Sequence, residues 1–171
     1  MPLLRAITIG AVLLLGLSVP ALALDPLPAP QGPVLLTVAG KIAIGNTPGG
    51  RAEFDLDMLR ALPRSGFATS TIWTDGVQRF EGVLVADLLA RLGATASEID
   101  ATAANDYEIR FPAADATEHG ALIAYAANGA PLPDDNKGPL WIVYPYDRDE
   151  ALRSERFISQ SVWSLETMTV Y

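Results

Sequence analysis

Short β-prone segments separated by turn signals dominate the chain after residue 33 and limit what it can fold into. Residues 67–73 alternate with the period of two that is typical of a strand, and Asp75-Gly76 predicts a turn into a second strand at 77–80. The spacing predicts short helices at 56–61, 85–92 and 149–159. Asp55 can cap the first of them, and Val85, Leu88 and Leu89 fall on one face of the second. Asn128-Gly129 is a hairpin signal. This mixed order without a strict βαβ repeat predicts a single α+β domain with mixed sheets and short helices.

The first 23 residues have the pattern of an export signal. Arg5 precedes an apolar run at 6–19, and Ala21-Leu22-Ala23 offers a small-residue cleavage site. The alternative is a membrane anchor, but the run is shorter than the roughly 20 residues of a spanning helix. We therefore expect a signal peptide at 1–23 that is cleaved near Ala23, a periplasmic product and no membrane insertion after cleavage.

The remaining chain divides into a proline-rich tether at 24–33 and one domain at 34–171. Without the signal, the chain has 11 basic and 20 acidic residues and therefore a net charge of −9. Nucleic acid and anionic membrane surfaces are poor partners for such a protein. Because the sequence contains no cysteine, it forms no disulfide and offers no thiolate to a metal.

The common catalytic constellations are absent from the sequence. His119 is the only histidine, and it has no cysteine or recognisable serine elbow to act on. Asp134-Asp135-Asn136 lacks the glycine and the later glutamate of a calcium loop. We expect no metal and no hydrolytic or thiol chemistry.

Polar and aromatic residues collect instead at predicted strand ends. Each has an ordinary structural explanation, such as a core tryptophan or a plain turn. A flat nitrogen-rich heterocycle would suit them, since an aromatic face stacks and a carboxylate pairs with an amino group and a ring N–H. Pterins, purines and flavins all present such edges. The residues concerned are Trp73, Asn105, Asp106, Tyr107, Lys137 and Gly138.

Four motifs resemble the molybdopterin-binding domain of sulfite-oxidase-like oxidoreductases, above all its short exported versions. They are FATSTIW at 67–73, FEGVLVADLL at 80–89, NDY at 105–107 and KGPLWIVYP at 137–145. The resemblance covers about residues 34–171 and implies a sulfite-oxidase-like fold. In those enzymes a cysteine just before the second motif holds the metal, whereas residues 71–74 here read TIWT.

Cysteine-free members of this group, periplasmic pterin-binding regulators of the PruR type, are similar in length, signal and motifs. That resemblance implies a non-enzymatic protein that binds a reduced pterin without molybdenum. It also implies docking onto the periplasmic domain of an inner-membrane enzyme that makes or degrades cyclic di-GMP. Pterin occupancy would then alter docking and reset the activity of the enzyme.

The resemblance also suggests roles for individual residues. Trp73 would stack on the pterin, and Asp106 with Asn105 would pair with its 2-amino and N3 edge. Trp163 would form the wall opposite Trp73. The rim would consist of Tyr107, Lys137 and Gly138.

Two other functions stay open at this point. One is a molybdopterin-dependent oxidoreductase, or a subunit of a redox complex, that binds the whole cofactor without a protein thiolate; bound molybdenum would identify it. The other is a degenerate scaffold that only docks a protein partner. A solid core beside Trp73 in place of a pocket would favour the scaffold.

Overall fold

The computed structural model describes residues 25–134 and 137–171, and the fold there is α+β, as predicted. One of its two sheets mixes parallel and antiparallel strands, and the described pairs of the other are all antiparallel. One buried hydrophobic cluster draws on both sheets. The described strands, in chain order, are β1 Leu36–Gly40, β2 Ala52–Phe54, β3 Arg64–Ser70, β4 Val77–Leu84, β5 Glu98–Ala103, β6 Glu108–Pro112, β7 Leu122–Ala127, β8 Ala130–Pro131, β9 Trp141–Val143 and β10 Leu165–Val170.

Each sheet contains five strands. The first sheet has the order β2-β1-β10-β5-β6, in which β1 and β10 are parallel and the other pairs antiparallel. The second has the order β3-β4-β7-β8, and β9 pairs with β7. A tight turn at Asn128-Gly129 joins β7 to β8, and both residues have positive φ (53° and 81°), as the hairpin signal predicts.

The helices are short and use their apolar side chains to cover the sheets. Helix α2 buries Val85, Leu88 and Leu89, which fall on one face at helical spacing. Among residues 25–134 and 137–171, no helix is long and apolar enough to cross a membrane. The helices are α1 Leu56–Ala61, α2 Val85–Arg91, α3 Ala113–Glu118 and α4 Glu155–Ser159, with a 3-10 helix at Glu150–Arg153.

Several predicted elements differ in extent from those of the structure, among them the strand predicted at 77–80, which runs to Leu84. The strand predicted at 67–73 ends at Ser70, because Thr71 Oγ1 accepts the backbone N–H of Trp73 and turns the chain locally. The helix predicted at 149–159 is two helices, because Ser154 takes an extended conformation between them (φ −70°, ψ 155°). Trp73 therefore lies in a loop and not on a strand face.

The proline-rich segment lies against the domain. Asn46 Nδ2 donates to the carbonyl of Pro28 at 2.8 Å, and the backbone N–H groups of Gln31 and Gly32 donate to Asp55 Oδ2 at 2.7 and 2.9 Å. The predicted signal peptide lies outside the described residues, as do Asp135 and Asn136 of the excluded calcium loop.

The two sheets meet where the segment 140–142 runs beside 162–165. Ile142 N–H donates to Val162 O at 2.9 Å, and Leu165 N–H donates to Leu140 O at 3.0 Å. Trp141 and Trp163 form a bridge between these hydrogen bonds. Since Trp141 begins β9 of one sheet and Leu165 begins β10 of the other, this pairing joins the sheets and positions the loops beside them.

We expect Asp55→Ala to lower the melting temperature in a pH-dependent way. Asp55 caps α1 by accepting from Met58 N–H at 2.9 Å, and the backbone donors of Met58, Gly32 and Gln31 lower its carboxyl pKa. A lowered pKa stabilises the fold above the ordinary value of about 3.9, and this contribution is lost as pH falls through the lowered value.

Circular dichroism melts should therefore show a clear deficit for Asp55→Ala at neutral pH that shrinks in strong acid. Asp57→Ala is the matched control, because this exposed carboxylate in the same helix has a distant ion pair with Arg60 at 3.8 Å. A deficit that does not change with pH would contradict the capping role of the carboxylate.

Candidate functional site

Trp73 lies at the centre of a cluster of indoles beside the junction of the sheets. Its half-buried ring meets Trp163 edge-on, with centroids 5.5 Å apart and planes at 82°. On another side it meets Trp141 at 5.8 Å and 72°. Trp141 is buried and packs edge-on against Phe80 at 5.4 Å. Trp73 thus connects the buried core to the loops around it.

A cavity of about 210 Å³, here called the tryptophan pocket, opens on one side of Trp73. Three loops build it: the β3–β4 loop, the β5–β6 turn and the connection from α4 to β10. Its walls are mainly apolar, which suits the face of a flat ring. The residues that matter here are Trp73, Trp163, Ile158, Asn105, Tyr107 and Ser161.

Tyr107 spans the edge of the tryptophan pocket. Its hydroxyl donates to the carbonyl of Ser159 at 2.9 Å, and its backbone N–H donates to Asn105 Oδ1 at 3.2 Å. The side chain is 45% exposed although it lines the pocket. Tyr107 therefore links the β5–β6 turn to the end of α4 across the rim.

A second cavity, of about 340 Å³ and here called the lysine pocket, lies on the other side of Trp73. Trp73, Trp141, Lys137, Gln78 and Asp75 contribute to its walls. Lys137 Nζ lies 5.9 Å from the centre of the Trp141 ring. The buried Trp141 Nε1–H has no hydrogen-bond partner among the described residues. The lysine pocket is more polar than its neighbour, and both share Trp73 as a wall.

A buried polar network supports the segment that carries Ile158 and Ser161. Asp115 Oδ2 accepts from Arg156 Nε at 2.8 Å and from Gln160 Nε2 at 2.7 Å. Gln160 Oε1 in turn accepts from the Tyr144 hydroxyl at 2.7 Å. Burial raises the pKa of the Tyr144 phenol, so it stays protonated and continues to donate. The network holds α4 in place beneath the tryptophan pocket.

Ser161 has its own support at the floor of the pocket. Its hydroxyl hydrogen-bonds that of Tyr146 and donates to Phe157 O at 3.1 Å. Burial raises the pKa of Tyr146 to about 12, so this phenol is also neutral in ordinary conditions. The hydroxyl of Ser161 is thus held by two contacts within the protein.

Four of the predicted ligand-binding residues, Trp73, Asn105, Tyr107 and Trp163, line the tryptophan pocket, and Lys137 lines the lysine pocket. The structure does not place Trp163 opposite Trp73. The two indoles touch nearly at right angles, so they form adjoining walls.

Asp106 is exposed and lines neither of these two pockets. Its φ of 64° marks it as the turn residue between β5 and β6, a conformation that aspartate tolerates. Of the two residues expected to pair with one ligand edge, Asn105 therefore lines the tryptophan pocket and Asp106 does not.

Gly138 is buried and likewise borders neither pocket. A Cβ there would lie 2.5 Å from Leu132 O and 2.7 Å from Pro133 O. The backbone that approaches Gly138 closely is therefore that of this chain, and the glycine serves packing, not the approach of a ligand.

The sequence alone did not identify Ile158, Ser159, Ser161 or Val162 as pocket residues. They lie at the end of α4 and in the turn after it, and their residue types are ordinary for a helix end. Only their position just before Trp163 could have drawn attention to them.

The described residues contain no group of three or more histidine, cysteine, aspartate or glutamate side chains that could hold a metal. His119 is exposed and its ring packs edge-on against Phe157 at 5.0 Å. The whole sequence lacks cysteine. The donor set therefore does not fit a molybdenum ion held by a thiolate of this chain.

Comparison with known proteins identifies the family. The model of the oxidoreductase molybdopterin-binding domain matches residues 51–148, more than half of the chain. The chain belongs to this family. The matched stretch includes Trp73, Asn105, Tyr107 and Lys137, whereas Trp163 lies beyond it. The predicted resemblance is thereby confirmed at the level of the domain.

A solved structure supports the same fold. The sulfane dehydrogenase SoxCD from Paracoccus pantotrophus is similar with a TM-score of 0.61 at 18% identity, over 80% of this chain and 37% of that chain. The chain thus spans little more than a third of the enzyme chain it resembles. No curated protein matches the sequence.

We expect Gly138→Ala to destabilise the fold by about 1–3 kcal/mol, the usual cost of overpacking a tight site. The reason is the contact with Leu132 O and Pro133 O, which are backbone atoms and move little. Urea unfolding measures the loss. Gly49→Ala is the control, because a Cβ there meets nothing within 4 Å. Equal stability of the two variants would contradict the packing role.

Proposed function

We propose that this domain is an exported, non-enzymatic protein that binds a reduced pterin without molybdenum. The observation that carries the proposal is the tryptophan pocket, walled by two indoles, in a molybdopterin-binding domain that lacks any cysteine. The family implies a pterin-type ligand, and the missing thiolate removes the usual attachment of the metal.

The size of the pocket supports a bicyclic ring. An apolar cavity of about 150 Å³ accepts benzene, so about 210 Å³ suits a flat ring system somewhat larger. The indole of Trp73 offers stacking, and that of Trp163 meets the ring edge. Since Asp106 does not line the tryptophan pocket, the amide of Asn105 supplies the hydrogen bonds at its polar edge. A neutral hydrogen bond of this kind is weaker than a charge-assisted one.

The observations bear differently on the two alternative functions, the molybdopterin-dependent oxidoreductase and the scaffold. A whole molybdenum cofactor remains a candidate on the family match, but no thiolate of this chain can hold its metal. The filled scaffold is disfavoured by the open space on both sides of Trp73.

A partner protein would distinguish the loaded from the empty protein by contacting the rim of the tryptophan pocket. Tyr107 lines the pocket and is 45% exposed, and Ile72, next to Trp73, is 65% exposed. A ligand that shifts Trp73 or Tyr107 changes the surface that a partner touches. We propose as this partner the periplasmic domain of an inner-membrane enzyme of cyclic di-GMP metabolism. Regulation requires that the partner bind the loaded and the empty protein with different affinity.

The first test is the content of the native protein. Protein purified from the periplasm without oxygen or light should release a stoichiometric pterin on denaturation, identified by mass spectrometry, and should contain no molybdenum. Molybdenum with a dithiolene pterin would favour the oxidoreductase. A protein without a pterin that also fails to bind added reduced pterins would exclude the proposal.

Trp73→Ala should weaken pterin binding by about 1–3 kcal/mol, because stacking and buried apolar contact are lost. Calorimetric titration with a reduced pterin in the absence of oxygen measures the change. Ile72→Ala is the matched control, since this neighbour lines neither the tryptophan pocket nor the lysine pocket. Unchanged affinity in Trp73→Ala would remove Trp73 from the ligand site.

The partner is tested by cross-linking in intact cells followed by mass spectrometry of the captured proteins. We expect the periplasmic domain of a cyclic di-GMP enzyme, captured in different amounts by wild type and by Trp73→Ala. Capture that is equal for the two would show that docking does not depend on the ligand.

A further inference from the structure

We infer that Trp73 divides one cleft in two and thereby limits the ligand to a pterin with a short substituent. This inference rests on the proposed function and adds a rule of selectivity to it. Its starting point is that the tryptophan pocket and the lysine pocket share Trp73 as a wall. The side chain of one loop residue is the partition between two spaces.

The partition is a loop side chain and not part of a sheet. Trp73 lies in the stretch 71–76 between β3 and β4, and the hydrogen bond from Trp73 to Thr71 Oγ1, at 3.1 Å, comes from its backbone N–H. Its indole is half-buried and meets Trp163 and Trp141 through ring edges. Truncating it would join the pockets without removing a strand or a buried polar contact.

The volumes of the two pockets determine how long a substituent on the pterin ring can be. The tryptophan pocket holds about 210 Å³, below the roughly 300–1,000 Å³ of sites for drug-sized ligands. It has room for the pterin ring and little beyond it. Adding the lysine pocket, of about 340 Å³, brings the cleft within that range and would accommodate a long arm on the ring.

Tyr107 restricts the other direction in which an arm could extend. Its hydrogen bond to Ser159 O closes part of the rim of the tryptophan pocket. A long arm that stays inside the cleft therefore needs either the lysine pocket, which Trp73 blocks, or a broken Tyr107–Ser159 contact. In the joined cleft, Lys137 would meet the carboxylates of a folate-type arm with opposite charge.

The test compares two ligands, 6-methyltetrahydropterin with a short substituent and tetrahydrofolate with a long acidic arm. Dissociation constants are measured without oxygen for wild type, Trp73→Ala and the control Ile72→Ala. Wild type should bind tetrahydrofolate at least about tenfold more weakly than the short ligand. In Trp73→Ala the short ligand should bind more weakly and tetrahydrofolate more tightly, so that the preference falls at least about tenfold.

A change of opposite sign for the two ligands cannot come from general loss of structure. Ile72→Ala should keep the wild-type preference. Trp73→Phe, with a smaller ring, should reduce the preference by less and serves if Trp73→Ala does not fold. Wild type that binds both ligands equally overturns the inference but leaves the proposed function standing. Wild type that binds neither overturns the proposed function and the inference with it.

Discussion

The pairing of residues 140–142 with 162–165 is the constraint on which the rest of the molecule depends. It joins β9 of one sheet to the start of β10 of the other and holds Trp141 buried against Trp73 and Phe80. Because both strands continue into the core, the loops beside this junction have little freedom. The two pockets lie among those loops, so their shape follows from the pairing of backbones and not from contacts between the pocket residues alone.

Two buried polar arrangements extend this rigidity to the pocket floor. Asp115 fixes α4 through Arg156 and Gln160, and Ser161 shares a hydrogen bond with Tyr146. Leaving a buried polar group unpaired costs about 1–3 kcal/mol, so these contacts resist local opening. The β3–β4 loop around Trp73 is held mainly by hydroxyl contacts of Thr71 and by ring packing.

Much of the fold could be predicted because its signals are local. Asp55 caps α1 at the predicted residue, Val85, Leu88 and Leu89 face inward as their spacing indicates, and Asn128-Gly129 forms the hairpin. The extent of β3 could not be predicted, because the alternation of residue types continues past Ser70. The strand ends there because the Thr71 hydroxyl accepts a hydrogen bond from the backbone of Trp73. The break between the two helices at Ser154 was not predicted either, although Leu152 and Phe157 on its two sides are both buried.

By itself, the sequence determined the chemical limits of this protein. A chain with no cysteine supplies no thiolate in any fold, the excess of acidic over basic residues is set by composition, and four motifs identify the molybdopterin-binding domain. Only the tertiary structure decided which strand-end residues meet. It brought Trp73, Asn105, Tyr107 and Trp163 to one cavity, left Asp106 outside it and used Gly138 for packing. The physical reason is that the chemical groups of a chain do not depend on how it folds. A pocket is formed by loops that are distant in sequence, and the pairing of strands sets the positions of those loops.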